Sequence, residues 1–230
     1  MNSHSLLLYG FLIGIPLILG LYAQMKVSGA FSRWKEVPVA SGMTGADAAR
    51  KILSAAGIHD VEVASIDTML GDHYDPSSKK LCLSPDVYDG ASVAAVGIAA
   101  HETGHAIQDA RRYAPLHLRM AIVPITQFAS QLLPFVILGG FFFHFTGLIT
   151  LGAICYLILT IFQLITLPVE FDASRRAKVI LQQMGIVGTR EETSGVNDVL
   201  DSAALTYVAA FVASLGNLIY LLLLRRSSEE

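Results

Sequence analysis

The longest run without a charged side chain constrains the fold of this protein more than any other feature of its sequence. Residues 120–169 contain no Asp, Glu, Lys or Arg. A single helix over this segment would be about 75 Å long, more than twice the ~30 Å thickness of a bilayer's hydrocarbon core. The segment must therefore fold back on itself. It predicts a transmembrane hairpin at 120–169, with spans near 120–142 and 148–168 and a turn between Gly139 and Gly147.

Two more segments are apolar and long enough to cross a membrane, at 5–25 and 203–224. The whole chain is 53% hydrophobic and only 15% charged, with a mean hydropathy of +0.54. This composition is too apolar for a soluble domain of this length. We therefore expect an α-helical integral membrane protein with about four transmembrane helices. A cleaved signal peptide is the alternative for 5–25, but this segment has no basic start and no clear small-x-small cleavage site.

The remaining residues form two polar portions, 26–119 and 170–202. Because the hairpin between them crosses the membrane twice, both portions return to the same side. Of the 16 Lys and Arg residues, ten lie in the first portion, four in the second and two at 225–226. The positive-inside rule then predicts that both portions face the cytoplasm, although the pair at 225–226 would lie on the opposite side. A net charge of −3 without a basic face argues against nucleic-acid binding.

The portion at 26–119 carries signals for a small α+β structure. Thr44 to Asp47 is a capping box that predicts a helix at 46–56, ended by Gly57. Alternation and turn residues predict strands at 61–66, 69–74 and 80–84. Ser92 then starts a long helix.

That long helix contains the sequence His101-Glu102-Thr103-Gly104-His105. Two histidines four residues apart lie one turn apart on the same helix face and can hold one zinc ion. A glutamate beside them can act as the base that takes a proton from water. The motif predicts a metal-dependent hydrolase, and the alternative is two helix histidines with ordinary hydrogen bonds.

A catalytic zinc site usually needs a third protein ligand. It does not come from the extended motif with a third histidine, because this chain has Gln108 and Arg111 where that motif needs Gly and His. Glu170 is the first charged residue after the hairpin and lies on the correct side, so it is the leading candidate, with Asp172 as its rival. Alternatively, Glu170 only interacts with the start of a helix.

Four stretches of the chain resemble the YugP-like membrane zinc metallopeptidases, which are similar in design to the HtpX and CAAX prenyl endopeptidases. The stretches are LSPDVYDG at 83–90, HETGHAIQ at 101–108, PVEFDASRRA at 168–177 and VLDSAALTYVAA at 199–210. The resemblance implies a zincin-like catalytic portion with one Zn²⁺ ion. Its ligands would be His101, His105 and Glu170, and Glu102 would be the catalytic glutamate.

The HtpX-like relatives have an Asp four residues after the ligand glutamate, and here that position is Ser174. Another acid could orient a histidine instead, or each could be a solvated charge: the candidates are Asp172, Asp198 and Asp201. A donor for the reaction's oxyanion could come from one of several rings, each of which could equally be a packing residue: His73, Tyr74, Tyr88, Tyr113, His117 and Tyr207.

These features lead to a specific functional hypothesis. We expect an integral membrane zinc-dependent endopeptidase in a bacterial cell membrane, with its catalytic side in the cytoplasm. Its partners would be the lipid bilayer and polypeptide substrates, mainly membrane proteins, cleaved near the membrane surface. The strand pair at 69–84 offers an edge for an extended substrate, or is only the end of a hairpin. The alternative function is a non-hydrolytic, metal-binding membrane scaffold.

Overall fold

The computed structural model describes residues 3–68, 71–143 and 146–229. In these ranges it contains seven helices and three short strands. In chain order they are α1 (Ser3–Trp34), α2 (Gly45–Ala55), β1 (Glu62–Ser65), β2 (His73–Asp75), β3 (Lys80–Leu83), α3 (Pro85–Tyr88), α4 (Val93–Ala110), α5 (Ala114–Phe143), α6 (Thr146–Gln183) and α7 (Arg190–Glu229).

Four of these helices are long and apolar enough to cross a membrane, namely α1, α5, α6 and α7. Large apolar side chains point outward from them, including Phe128, Phe135 and Leu164. An exposed apolar surface of this kind fits lipid rather than water. The protein is thus a helical membrane protein with a small α+β portion, which confirms the predicted fold class.

The long helices extend beyond the apolar segments that predicted them. α6 continues through Pro168 to Gln183, and α7 starts at Arg190, so no helix boundary separates the apolar and polar parts of either. The polar parts are helical because they also have an apolar side to bury. Leu181 in α6, and Val196 and Leu200 in α7, are almost completely buried.

The chain divides into two compact units, and the boundaries fall inside the long helices. The membrane unit consists of Met1–Gln24, Leu118–Leu167 and Thr206–Glu230, and the site unit consists of Met25–His117 and Pro168–Leu205.

A three-stranded sheet and helices α2 and α4 form the centre of the site unit. The strand order is β1-β3-β2, with β1 parallel and β2 antiparallel to β3. The sheet's inner residues Leu81 and Leu83 join Ile52 of α2 and Val96 of α4 in one apolar core. This core fixes α4, the helix that carries the two histidines.

The local signals in this unit correspond closely to the observed elements. Thr44 accepts a hydrogen bond from the Asp47 amide and donates its own amide to the Asp47 side chain, which is the predicted capping box. Gly57 has a φ of 72°, as a left-handed helix end requires. Residues 69 and 70 of the predicted second strand lie outside the described residues, and the observed strand β2 extends one residue further, to Asp75.

Candidate metal centre

Helix α4 presents His101 and His105 side by side. Ser92 caps the helix start by accepting a hydrogen bond from the Ala95 amide at 3.2 Å, and the core holds its buried face. The two imidazole rings are 4.8 Å apart between centroids and stand at 87° to each other. Their side chains are only 13% and 10% exposed, so they face an enclosed space rather than bulk water.

Glu170 of α6 closes this space from the opposite side. Its Oε2 atom lies 3.2 Å from His101 Nε2 and 3.6 Å from His105 Nε2. One ligand atom from each of these three residues lies within 4.8 Å of the others. The Glu170 side chain is 2% exposed. The structure therefore brings the three predicted metal ligands together.

Two small residues allow α4 and α6 to approach closely enough for this geometry. Gly104 of α4 faces Ala173 of α6, and a Cβ atom on Gly104 would lie 2.9 Å from the Ala173 carbonyl oxygen. No side chain fits between the helices there. The position of Glu170 relative to the histidines thus depends on a glycine inside the motif itself.

The other nitrogen of each imidazole has its own hydrogen-bond partner. His101 Nδ1 lies 3.1 Å from Ser174 Oγ, and His105 Nδ1 lies 3.0 Å from Gln108 Oε1. These contacts turn both Nε2 atoms toward Glu170. Sequence reasoning missed Gln108, although it follows His105 by three residues and so lies on the same helix face.

The acids considered as orienting groups have other main partners. Asp172 accepts hydrogen bonds from Gln108 and from two arginines, so it reaches His105 only through the Gln108 amide. Asp198 accepts from Trp34, and Asp201 accepts from Lys178. Ser174, at the position where the resemblance led us to consider an acid, contacts His101 directly through its hydroxyl.

Glu102 lies between the two histidines in sequence and contacts strand β2. Its Oε2 atom accepts a hydrogen bond from the Tyr74 amide at 3.1 Å. Burial raises the pKa of Glu102 above its ordinary value, although the neighbouring His101 and His105 act in the opposite direction. A raised pKa makes this carboxylate a better proton acceptor than an exposed glutamate.

For His105, the neighbouring charges outweigh the effect of burial on the pKa. Burial alone would lower the pKa of its imidazole, but the nearby carboxylates of Glu170 and Glu102 raise it above the ordinary value. The two carboxylates thus favour a positive charge beside them.

Tyr74 also anchors the β2–β3 hairpin to α4. Its hydroxyl donates to Asp109 at 2.8 Å, and Lys79 Nζ lies 2.5 Å from the same carboxylate. Because β2 is an edge strand and its Tyr74 amide points at Glu102, the unpaired side of β2 faces the candidate site.

Four of the proposed oxyanion donors have a polar partner elsewhere, but only Tyr74 uses its sole donor hydrogen there. The Tyr74 hydroxyl binds Asp109, His73 Nδ1 lies 2.7 Å from the Gly71 carbonyl, and the Tyr88 hydroxyl accepts from Arg50. His117 lies 4.0 Å from Asp109. The other five candidates stay predictions.

The donor set and two of its three spacings fit a zinc ion. Two ligand atoms at about 2.1 Å from a tetrahedral ion are roughly 3.4 Å apart. The observed spacings of 3.2 and 3.6 Å between the Glu170 oxygen and the two imidazole nitrogens bracket that value. Two imidazoles and one carboxylate leave a fourth position for water, as in catalytic sites.

Comparison with known proteins places this geometry in a family. Residues 9–226 match the family model described as "Putative neutral zinc metallopeptidase". The chain belongs to this neutral zinc metallopeptidase family. The matched range spans the positions of His101, Glu102, His105 and Glu170. The resemblance drawn from the sequence motifs is therefore confirmed.

One curated relative of the chain is the "Putative membrane protease YugP" of Bacillus subtilis (strain 168). The two are 46% identical over 213 residues, which cover 93% of this chain and 94% of the relative. No solved structure matches the chain.

Proposed function

We propose that this neutral zinc metallopeptidase is an integral membrane endopeptidase that hydrolyses peptide bonds of membrane-associated or unfolded polypeptides. The observation that carries the proposal is the convergence of two imidazole nitrogens and one carboxylate oxygen on a single buried point. Glu102, which such a metal site does not need as a ligand, adds the proton acceptor that hydrolysis requires.

His101, His105 and Glu170 would hold the zinc ion. When bound, zinc supplies a Lewis acid that polarises the scissile carbonyl and makes water more acidic. Glu102 then accepts a proton from the attacking water and delivers it to the leaving amine. Its hydrogen bond with the Tyr74 amide engages one carboxylate oxygen and holds the side chain in one orientation.

Strand β2 offers a way to bind substrate independently of side-chain sequence. The edge of β2 that does not pair with β3 lies beside Glu102, which accepts from its Tyr74 amide. An extended polypeptide can add to such an edge through backbone hydrogen bonds. This supports cleavage within unfolded segments and a broad tolerance of substrate side chains.

The position of Glu170 along α6 supports substrates close to the membrane. Glu170 follows Leu167, the last α6 residue of the membrane unit, by three residues, a rise of about 4.5 Å along the helix. Loops of membrane proteins are then the most accessible polypeptides. The excess of Lys and Arg in the polar portions supports a cytoplasmic site, and the Bacillus relative supports a bacterial cell membrane.

The test compares the purified wild-type protein with Glu102→Gln in cleavage of unfolded casein and of a membrane protein with an accessible loop. We expect the variant to lose about 10²-fold or more of the activity and to keep its zinc, because Glu102 is not a ligand. A zinc chelator should abolish wild-type cleavage. Equal cleavage by both proteins would refute the role of Glu102.

The same experiment separates the protease from the alternative function. Stoichiometric zinc in both proteins without cleavage of either substrate would favour a metal-binding membrane scaffold. Zinc absent from the wild-type protein would contradict both proposals.

A further inference from the structure

The side chain of Gln108 is completely buried and uses its whole amide group. Its Nε2 atom donates to the Val169 carbonyl at 2.8 Å and to Asp172 Oδ2 at 2.9 Å, and its Oε1 atom lies 3.0 Å from His105 Nδ1. The amide thus bridges α4, which carries the histidine, and α6, which carries Glu170.

Chemistry allows this amide only one orientation. A backbone carbonyl and an ionised carboxylate can only accept hydrogen bonds, so the NH₂ group must face Val169 and Asp172. A flipped amide would place its oxygen against the oxygens of Val169 and Asp172 and lose both of these hydrogen bonds. The oxygen of Gln108 therefore faces His105, whose Nδ1 must be the donor.

This orientation determines which imidazole nitrogen carries the proton. With hydrogen on Nδ1, a neutral His105 presents the lone pair of Nε2 toward Glu170. That is the form a metal ion requires. His101 differs, because its partner Ser174 has a hydroxyl that can rotate and either accept or donate.

Asp172 keeps the amide in place without sharing its charge with the imidazole. Its two oxygens also accept from Arg175 Nη2 and Arg176 Nε, each at 2.5 Å. The two guanidinium groups balance the carboxylate, and the neutral amide separates it from His105. A carboxylate bonded directly to the imidazole would instead make the ligand more basic.

We propose that Gln108 and Asp172 are positioning residues that fix the orientation and the Nδ1–H form of His105 for metal binding. The part of this inference that concerns zinc affinity rests on the proposed metal role of the site. The part that concerns the proton on His105 is a property of the metal-free protein.

The first test measures the zinc dissociation constant of Gln108→Met, which has a similar volume but no amide. Loss of such a partner typically weakens metal affinity about 10- to 100-fold, and we expect a loss in this range. Asp172→Ala should weaken binding less, because the Val169 carbonyl still holds the amide.

Thr103→Val is the matched control. Thr103 is equally buried and lies on the same helix, but its hydroxyl bonds only to the Ala99 carbonyl of that helix, at 2.7 Å. We expect wild-type zinc affinity from this variant. An equal loss of zinc affinity in Thr103→Val and Gln108→Met would overturn the inference, because removal of any buried hydrogen bond on α4 would then weaken zinc binding.

The second test records the tautomer of His105 in the metal-free protein by long-range ¹H–¹⁵N spectra, at a pH where the ring is neutral. The His105→Ala variant identifies the signal. We expect hydrogen on Nδ1 in the wild type and a shift of the proton to Nε2, beside Glu170, in Gln108→Met. An unchanged tautomer would overturn the inference even if zinc affinity fell.

The double variant Gln108→Glu with Asp172→Asn provides a rescue that conserves net charge. The new Glu accepts from His105 Nδ1 and from the new Asn, which restores these two hydrogen bonds but not the one to the Val169 carbonyl. We expect the Nδ1–H form and zinc binding tighter than in Gln108→Met. Absence of both effects would contradict the assignment, whereas a wild-type protein that binds no zinc would refute only the proposed metal role.

Discussion

Replacement of Gly104 by alanine tests whether the close approach of α4 and α6 sets the metal centre. The added Cβ atom would lie 2.9 Å from the Ala173 carbonyl oxygen and 3.1 Å from its Cα. Carbon contacts are optimal at about 3.5–4.0 Å, so the helices must separate by about 0.5 Å. Both close contacts are backbone atoms of a helix, which cannot rotate away.

The expected loss follows from this displacement. Zinc–ligand distances tolerate about 0.2 Å, and Glu170 lies three residues before Ala173 on the displaced helix. Overpacking of this size costs about 1–3 kcal/mol, which corresponds to a roughly 5- to 150-fold weaker zinc affinity if the metal site bears the strain. Competition with a zinc-binding dye measures the affinity, and thermal unfolding of the metal-free protein measures the effect on stability.

Gly97→Ala is the control on the same helix. A Cβ atom there would lie 3.7 Å and 3.9 Å from the two methyl groups of Val196, which are ordinary contacts. Alanine also favours a helix over glycine by up to about 1 kcal/mol. We therefore expect unchanged zinc affinity and equal or higher stability. Equal zinc affinity in Gly104→Ala and Gly97→Ala would refute the reasoning.

Two further predictions concern the third ligand and the hairpin anchor. Glu170→Gln keeps the side-chain volume but removes the charge, so purified protein should lose stoichiometric zinc, whereas Asp172→Asn should retain it; the reverse result in metal analysis would make Asp172 the ligand. Burial alone would raise the pKa of Asp109, but the hydrogen bonds from Lys79 and Tyr74 lower it below its ordinary value of 3.8. A lowered pKa means that this carboxylate stabilises the fold at neutral pH and loses that contribution as the pH falls below the ordinary value. Asp109→Asn should thus cost about 1–3 kcal/mol at pH 7 and much less near pH 2, and an equal loss of thermal stability at both pH values would contradict this account.

The parts of the site that depend on spacing within one helix were predictable from the sequence. His101 and His105 share a helix face because they are four residues apart. The Thr44 cap and the Gly57 helix end also depend on neighbours within four residues. Glu170 was predictable for a different reason. Two predicted membrane crossings return the chain to the side of the histidines, and Glu170 is the first charged residue after them.

Contacts between distant segments were not predictable in the same way. The hydrogen bond from the Tyr74 amide to Glu102 depends on how the hairpin packs on α4, which no local pattern encodes. The roles of Gln108 and Ser174 require knowing which faces of α4 and α6 meet. The continuity of α6 through Pro168 was also missed, because a proline and a change from apolar to polar residues favour a helix boundary.

Helix α6 supplies the proposed ligand Glu170, the amide anchor Asp172 and the hydroxyl of Ser174 within five consecutive residues. Both histidines lie on α4, and His101 precedes Glu170 by 69 residues. A metal ion that needs all of these groups has no complete binding site until α6 docks. Partial docking would not create part of the site, because the three groups lie on one rigid helix and move together. Metal uptake during biogenesis would then occur only after the transmembrane hairpin has been inserted and the polar end of α6 has reached the side of the membrane that holds α4.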